Sequence, residues 1–228
     1  MTNLPLRRIR SFVKRQGRMT TAQQRALDTL WPRWGVPFGE QQLDLDALFA
    51  RTAPRVLDIG FGDGEALLTT AANHPGIDYL GVEVYDPGIG HLLVLLERAG
   101  VSNVRIVGRD AVDVIAAMLG PASFDAVNLF FPDPWPKKRH HKRRLVQPEF
   151  VAALAGILKT RGLIHIATDW SNYAEHAVEV IERSNLFVGE APEILANDPL
   201  AFRPPTKFER RGRRLGHEVV DLYYRRVR

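Results

Sequence analysis

An open, doubly wound, mostly parallel α/β sheet is the fold this sequence predicts, and three observations predict it. From Arg55 onward, short runs rich in β-branched and aromatic residues take turns with longer stretches whose apolar residues recur at helical spacing. Strand and helix alternating in this way build parallel βαβ units with helices on both faces of one sheet. The first of these strands runs into a glycine-rich turn, Gly60-Phe61-Gly62-Asp63-Gly64, at the join where such sheets receive ligands.

In chain order, the segment 1–20 is basic and poor in core-forming residues, so it is expected to be a flexible arm on a single domain over 21–228. A short helix is expected over 21–30, and the stretch to Ala53 is mixed. The apolar run at 56–59 reads as a strand, and 65–73, with Leu67, Leu68 and Ala71 on one face, as its helix. The same pairing recurs as strand 79–84 with helix 89–99, where Ile89, Leu92, Leu93 and Leu96 make the apolar stripe. Strand 104–107 precedes helix 112–119, strand 126–131 precedes helix 149–158, and strand 163–167 precedes helix 172–184. Late strands are expected over 186–188 and 219–224. No internal repeat or low-complexity tract interrupts the series.

With 228 residues and 45% hydrophobic content, the chain can bury one sizeable core. The absence of cysteine excludes disulfides, thiolate metal sites and a cysteine nucleophile; no metal is expected, and a cytoplasmic setting is. The basic N-terminus has no apolar core of its own, and the longest aliphatic run, Leu92 to Leu96, is far too short to span a bilayer, so no membrane association is expected. The net charge of +5 is segregated: 1–40 carries +6, 41–136 carries −8, 137–144 carries +6, 145–202 carries −5 and 203–228 carries +6. Basic blocks on an acidic body are the footprint of a polyanionic partner, nucleic acid before membrane.

Residues that follow each strand are the candidates for ligand contact. At the first strand these are Asp58, Gly60 and Gly62, with glycine letting backbone approach a cofactor closely. A dinucleotide fingerprint would need glycine where Glu65 stands, and Asp58 and Asp63 would repel a pyrophosphate, so a nicotinamide oxidoreductase is disfavoured. S-adenosylmethionine carries no phosphate and two cationic groups, and carboxylates around this turn favour it. Glu83 closes the second strand nineteen residues beyond Gly64, near the spacing at which an acid reaches ribose hydroxyls. Asp110, after the third strand, either accepts from an adenine amino group or caps the next helix. Asp133 ends the fourth strand across the crevice from the cofactor, stiffened by Pro132, Pro134 and Pro136, with Phe131 and Trp135 offering faces for a base. Lys137 to Arg144 follow at once, so one nucleic acid ligand explains the acid and the basic block together.

The motifs Asp58-Ile59-Gly60-Phe61-Gly62, Gly81-Val82-Glu83-Val84, Phe130-Phe131-Pro132-Asp133-Pro134-Trp135, Lys142-Arg143-Arg144, Ala167-Thr168-Asp169-Trp170 and Thr206-Lys207-Phe208-Glu209 together resemble the bacterial tRNA (guanine-N7)-methyltransferase family. The resemblance implies a Rossmann-like class I S-adenosylmethionine-dependent fold and methyl transfer to N7 of a guanine in the tRNA variable loop. It makes Asp58, Gly60, Gly62, Glu83, Asp110 and Asp133 cofactor contacts and Asp133 also the catalytic residue. It further makes Lys137, Asp169, Thr206, Lys207, Phe208 and Glu209 substrate contacts, and Arg139, His140, His141, Lys142, Arg143 and Arg144 the RNA-binding run. Asp58 stands where relatives often carry glutamate, and Tyr85-Asp86 replaces a pair more like His-Ser. Two other readings compete on the residues alone: an amino-methyltransferase acting on adenine, whose amine must lose a proton, and a non-catalytic RNA-binding module with a cofactor-type fold.

Overall fold

In the computed structural model the described residues are 11–12, 17–216 and 218–227, apart from the side chains of Phe208 and Arg213. The strands are β1 (Arg55–Ile59), β2 (Asp78–Val82), β3 (Val104–Val107), β4 (Phe124–Phe130), β5 (Leu158–Thr168), β6 (Phe187–Gly189) and β7 (Val220–Arg226). They form one sheet in the order β3-β2-β1-β4-β5-β7-β6, parallel except for β7, which runs antiparallel to both β5 and β6. The helices are α1 (Thr21–Trp34), α2 (Leu45–Phe49), α3 (Glu65–Asn73), α4 (Asp86–Ala99), α5 (Ala111–Met118), α6 (Pro148–Ile157), α7 (Ser171–Arg183) and α8 (Lys207–Arg214).

Every residue of β1 and β2 is buried, because helices cover both faces of a parallel sheet. The two-residue period of the strands divides their side chains between two cores. Val56, Tyr79, Ile106 and Ala126 pack with Trp34 of α1, Leu67 of α3 and Leu92 of α4. Leu57, Leu80, Val127 and Ile164 pack with Val114 of α5, Phe150 of α6 and Tyr173 of α7. Because β1 to β5 run parallel, their carboxyl ends lie along one edge of the sheet.

Several features depart from the sequence expectation, among them α2 and the start of β5 at Leu158. The helix expected to stop at 30 runs on to Trp34, opened by a capping box in which Thr20 Oγ1 accepts from Gln23 N–H and Gln23 Oε1 accepts from Thr20 N–H. Beyond it, Trp34 Nε1 donates to the Val101 carbonyl and Val36 N–H to that of Ile106, so the mixed segment covers the open edge of β3. The basic block coils into a 3₁₀ helix, Lys138–Arg143. Finally, Thr206 Oγ1 accepts from Glu209 N–H at 3.1 Å and so starts α8, a helix whose charged sequence gave no apolar stripe to read. The arm expected over 1–20 lies mostly outside the described residues. Among the described residues, no helix is long and apolar enough to cross a membrane.

Candidate active site

At the carboxyl edge of β1, β2, β3 and β4 lies a cavity of about 310 Å³, and Asp58, Gly60, Gly62, Glu83, Asp110 and Asp133 all line it. Parallel strands in register bring this about: Asp58 pairs with Gly81 and with Asn128, so the ends of β1, β2 and β4 stop level with one another. Thr206 and Lys207, far away in sequence, close the mouth together with Ser11 and Phe12.

The floor is acidic and buried. Asp58 is 6% exposed and Glu83 8%. Glu83 Oε1 accepts from the N–H groups of Val84 (2.6 Å) and Tyr85 (3.0 Å), and its Oε2 accepts from Gly62 N–H (2.9 Å). One carboxylate thus ties the end of β2 to the glycine turn. Burial raises the Glu83 carboxyl, the three backbone donors pull it back, and Asp133 pushes it up again. Burial lifts Asp58 to about 7; the Asn128 amide, at 3.5 Å, offsets part of this and the charge of Glu83 adds to it. Asp110 accepts from Val112 N–H at 3.1 Å as the cap of α5, so the helix-cap role is realised at a residue that also faces the cavity.

These bonds decide what the turn accommodates. A phosphate would need free backbone donors, but Gly60 N–H goes to the Val82 carbonyl, Gly62 N–H to Glu83 and Gly64 N–H to the Phe61 carbonyl. At Gly60, where φ is +73°, a Cβ would meet nothing within 4 Å, so the backbone there faces open cavity. Carboxylates beneath, open space above and three glycine donors already engaged suit a cationic ligand with hydroxyls, as S-adenosylmethionine is, better than a pyrophosphate.

Asp133 is exposed at the mouth, in a turn held against its own preferences. Phe131 and Trp135, which bracket it, have φ values of +51° and +45°, a region that costs bulky residues on the order of 1–3 kcal/mol each. Trp135 is held in place: its indole N–H donates to the Ser11 carbonyl at 2.8 Å, and the Arg143 guanidinium sits 4.7 Å over its ring. One face of the indole is thereby covered by Arg143. Arg144 also departs from expectation. It is 2% exposed, and it donates to the Pro134 carbonyl and to the backbone and side-chain oxygens of Asn172, so it anchors the turn and does not reach solvent for phosphate. Arg139 and Lys142 are exposed, and His140, His141 and Arg143 are half-buried on the same 3₁₀ helix. Desolvation first, and then the charges of Arg139, Arg143, Lys137 and Lys142, hold His140 below its ordinary value.

The other expected substrate residues divide. Lys137 is exposed just before the 3₁₀ helix, and Asp169 is half-buried past β5, where α8 approaches so closely that a Cβ on Gly212 would lie 2.9 Å from Asp169 Oδ2. The Phe208 side chain is outside the described residues. Glu209 is 2% exposed and ion-paired with Arg203 instead of facing the cavity. Two participants went unread in the sequence. Asn128 was signalled, as an amide inside the apolar run of β4, whereas Arg203 was one more cation in a basic C-terminal segment.

Sheet order, the committed glycine turn and the acid-lined crevice define a Rossmann-like class I methyltransferase. Solved structures agree on the fold: the 16S rRNA methyltransferase KamB aligns with a TM-score of 0.57 at 14% identity, covering 82% of this chain and 95% of that one. Residues 52–222 match a family described as "Putative methyltransferase". The tRNA (guanine-N(7)-)-methyltransferase of Alkalilimnicola ehrlichii is 54% identical over 223 residues, 96% of this chain and 93% of its own. That of Halorhodospira halophila is 53% identical over 220 residues, covering 96% and 95%. The enzyme of the same name from Burkholderia pseudomallei is 53% identical, covering 98% and 83%. The chain belongs to the bacterial tRNA (guanine-N7)-methyltransferase family. These relatives support neither the adenine-amine nor the non-catalytic alternative.

Proposed function

We infer that this protein methylates N7 of a guanine in tRNA, with S-adenosylmethionine as donor, and that Asp133 orients the base. The reading is carried by one juxtaposition: the acid-floored cavity opens at Asp133, and the basic 3₁₀ helix begins five residues later, at Lys138.

When bound, S-adenosylmethionine supplies an electrophilic methyl group on a sulfonium. Glu83, already fixed by three backbone donors, would take the ribose hydroxyls through its remaining lone pairs; Asp58 would meet a cationic group, and Asp110 the adenine edge. Arg139 and Lys142, exposed on a surface 3₁₀ helix, would hold phosphate. Guanine N7 carries a free lone pair, so no proton has to leave before it attacks. The task left to the protein is alignment, and well-oriented reactants recover about 7–11 kcal/mol of barrier. Asp133 accepts from the N1 and N2 donors of the base and opposes the positive charge that grows on the purine. Prolines and positive-φ neighbours hold that carboxylate in place before the base arrives.

Incubation with tRNA and labelled S-adenosylmethionine, followed by nucleoside analysis, is expected to yield 7-methylguanosine. Replacing the target guanine by 7-deazaguanine keeps shape and the N1 and N2 donors, so binding survives and methyl transfer stops. Label on the deaza nucleoside would refute the N7 mechanism, and label on adenine would refute the substrate assignment.

A further inference from the structure

Behind the cavity mouth lies a buried charged cluster that binding and alignment, as described, leave unused. Arg203 is 9% exposed on its side chain, Glu209 2%, Asp221 27% and His165 0%. Arg203 forks onto Asp221, with Nε to Oδ1 and Nη2 to Oδ2 both at 2.9 Å, while its Nη1 donates to Glu209. Asp221 Oδ1 is also 2.8 Å from His165 Nε2. His165 is clamped in turn, stacked on Tyr223 at 4.2 Å and edge-on to Phe130 at 4.8 Å.

The cluster joins two parts of the fold. Asp221 and His165 sit on the adjacent interior strands β7 and β5, whereas Glu209 belongs to the first turn of α8, with Thr206 as its cap. That turn carries Thr206 and Lys207 to the cavity mouth, where Lys207 Nζ lies 3.9 Å from Asp63 and Arg210 Nη2 lies 3.3 Å from Glu65 on the opposite rim. The Arg203 guanidinium lies 5.8 Å from the ring of Phe130 and 5.7 Å from that of Phe131, the residues that lead into Asp133. Both sides of the mouth therefore rest on one side chain. Burying this much charge is a poor way to gain stability, since apolar side chains of similar volume do as well. A two-armed fork fixes direction as well as distance, and apolar packing does not.

We propose that Arg203 is a positioning residue for methyl transfer: locked on Asp221, it holds Glu209 and with it the 206–210 turn at the mouth, and it braces Phe130 and Phe131 on the approach to Asp133. This rests on the reading that the tRNA guanine enters at that mouth. Arg203 touches no reacting atom, so its loss leaves the acidic floor intact and misplaces the acceptor side.

The test compares Arg203→Gln, Arg203→Lys, Glu209→Gln and the Arg203→Gln/Glu209→Gln double variant by thermal melting, calorimetric cofactor affinity, and kcat and KM on tRNA. Arg203→Gln is expected to lower kcat about 100-fold, the scale of a misplacement near 1 Å. Cofactor Kd is expected to stay within about twofold, as for sites with no shared partner. Arg203→Lys recovers part of kcat, because an ammonium meets one carboxylate but cannot fork. The double variant loses no more than the worse single one. Wild-type turnover on tRNA checks the reading on which this rests. With that turnover present, the proposal is overturned by unchanged kcat beside a lowered melting temperature, by cofactor affinity falling in parallel with kcat, or by losses that multiply in the double variant. If Arg203→Gln does not fold, the Lys variant crossed with Glu209→Gln makes the same comparison.

Discussion

Cofactor binding is expected to expel a proton from Asp58. Its carboxyl titrates at about 7 because it is buried, beside Glu83 and with one long amide contact from Asn128. Its pKa lies above the ordinary carboxylate value of 3.8, so its contribution to stability is present below that value and lost as pH rises through about 7. A cationic ligand reverses the sign, because it favours the ionised carboxylate. In the free protein roughly a tenth of Asp58 is ionised at pH 6 and about nine tenths at pH 8, so affinity rises about tenfold across that range, about 1.4 kcal/mol. Near pH 7 about half a proton leaves per ligand bound. Calorimetry in two buffers of different ionisation enthalpy reads this directly, and Asp58→Asn removes it. The difference between the wild type and that variant also separates Asp58 from the ligand's own α-amino group, which titrates near 8, and from Glu83. Equal proton counts in the two proteins, or equal pH slopes, would refute the assignment of the shift to Asp58 and its place against the cofactor.

Glu83→Gln removes charge from the cofactor site and leaves backbone donors poorly matched; cofactor Kd is expected to rise at least about tenfold, with a stability loss of about 1–3 kcal/mol seen in melting. A weakened site with unchanged melting would show that the glycine turn does not depend on Glu83. Arg139→Ala and Lys142→Ala, both on exposed positions, are expected to flatten the log–log salt dependence of tRNA binding by about 0.7–0.9 per lost contact. Arg144→Ala is expected to do the opposite, with little effect on the salt slope but a loss of about 3 kcal/mol in unfolding by denaturant, since it removes a buried guanidinium and the three hydrogen bonds it donates to Pro134 and Asn172. Asp221, pulled down from 3.8 to about 2 by His165 and Arg203 against the cost of burial, contributes stability that is present above about pH 4 and fades as pH falls toward 2. The contribution is on the order of 1–2 kcal/mol after allowing for solvent screening, and Asp221→Asn should flatten that part of the acid-denaturation curve.

The β1 to β5 series was legible because each strand pairs an apolar run with a turn, and each helix carries a stripe at its own period. Asp58, Glu83, Asp110 and Asp133 were legible for the same reason, since strand ends in a parallel sheet stop at a common edge. What the sequence hid was direction. Nothing local distinguishes Arg144 from Arg143, yet one is buried under the Asp133 turn and the other covers Trp135. Likewise Thr206-Lys207-Phe208-Glu209 reads as four like candidates, while a helix sends Lys207 to the rim and Glu209 inward to Arg203. Such outcomes depend on partners far along the chain, 28 positions away for Arg144 at Asn172 and 144 for Lys207 at Asp63, and no periodicity reports them.

The placement of β7 bears on how the chain reaches this state. It is the latest of the seven strands in sequence but lies inside the sheet, and β6, which precedes it, pairs only with it. Until residues 220–226 have been synthesised, β5 therefore shows a bare edge along Leu163 to Thr168, six positions that later match Arg225 to Val220. That edge is apolar and able to take up a strand from another nascent chain. The ribosome releases the cofactor half of the sheet early and the half that holds α8 late. The strands that line the cofactor cavity are thus complete in the nascent chain before α8, which brings Lys207 to its mouth, has been made.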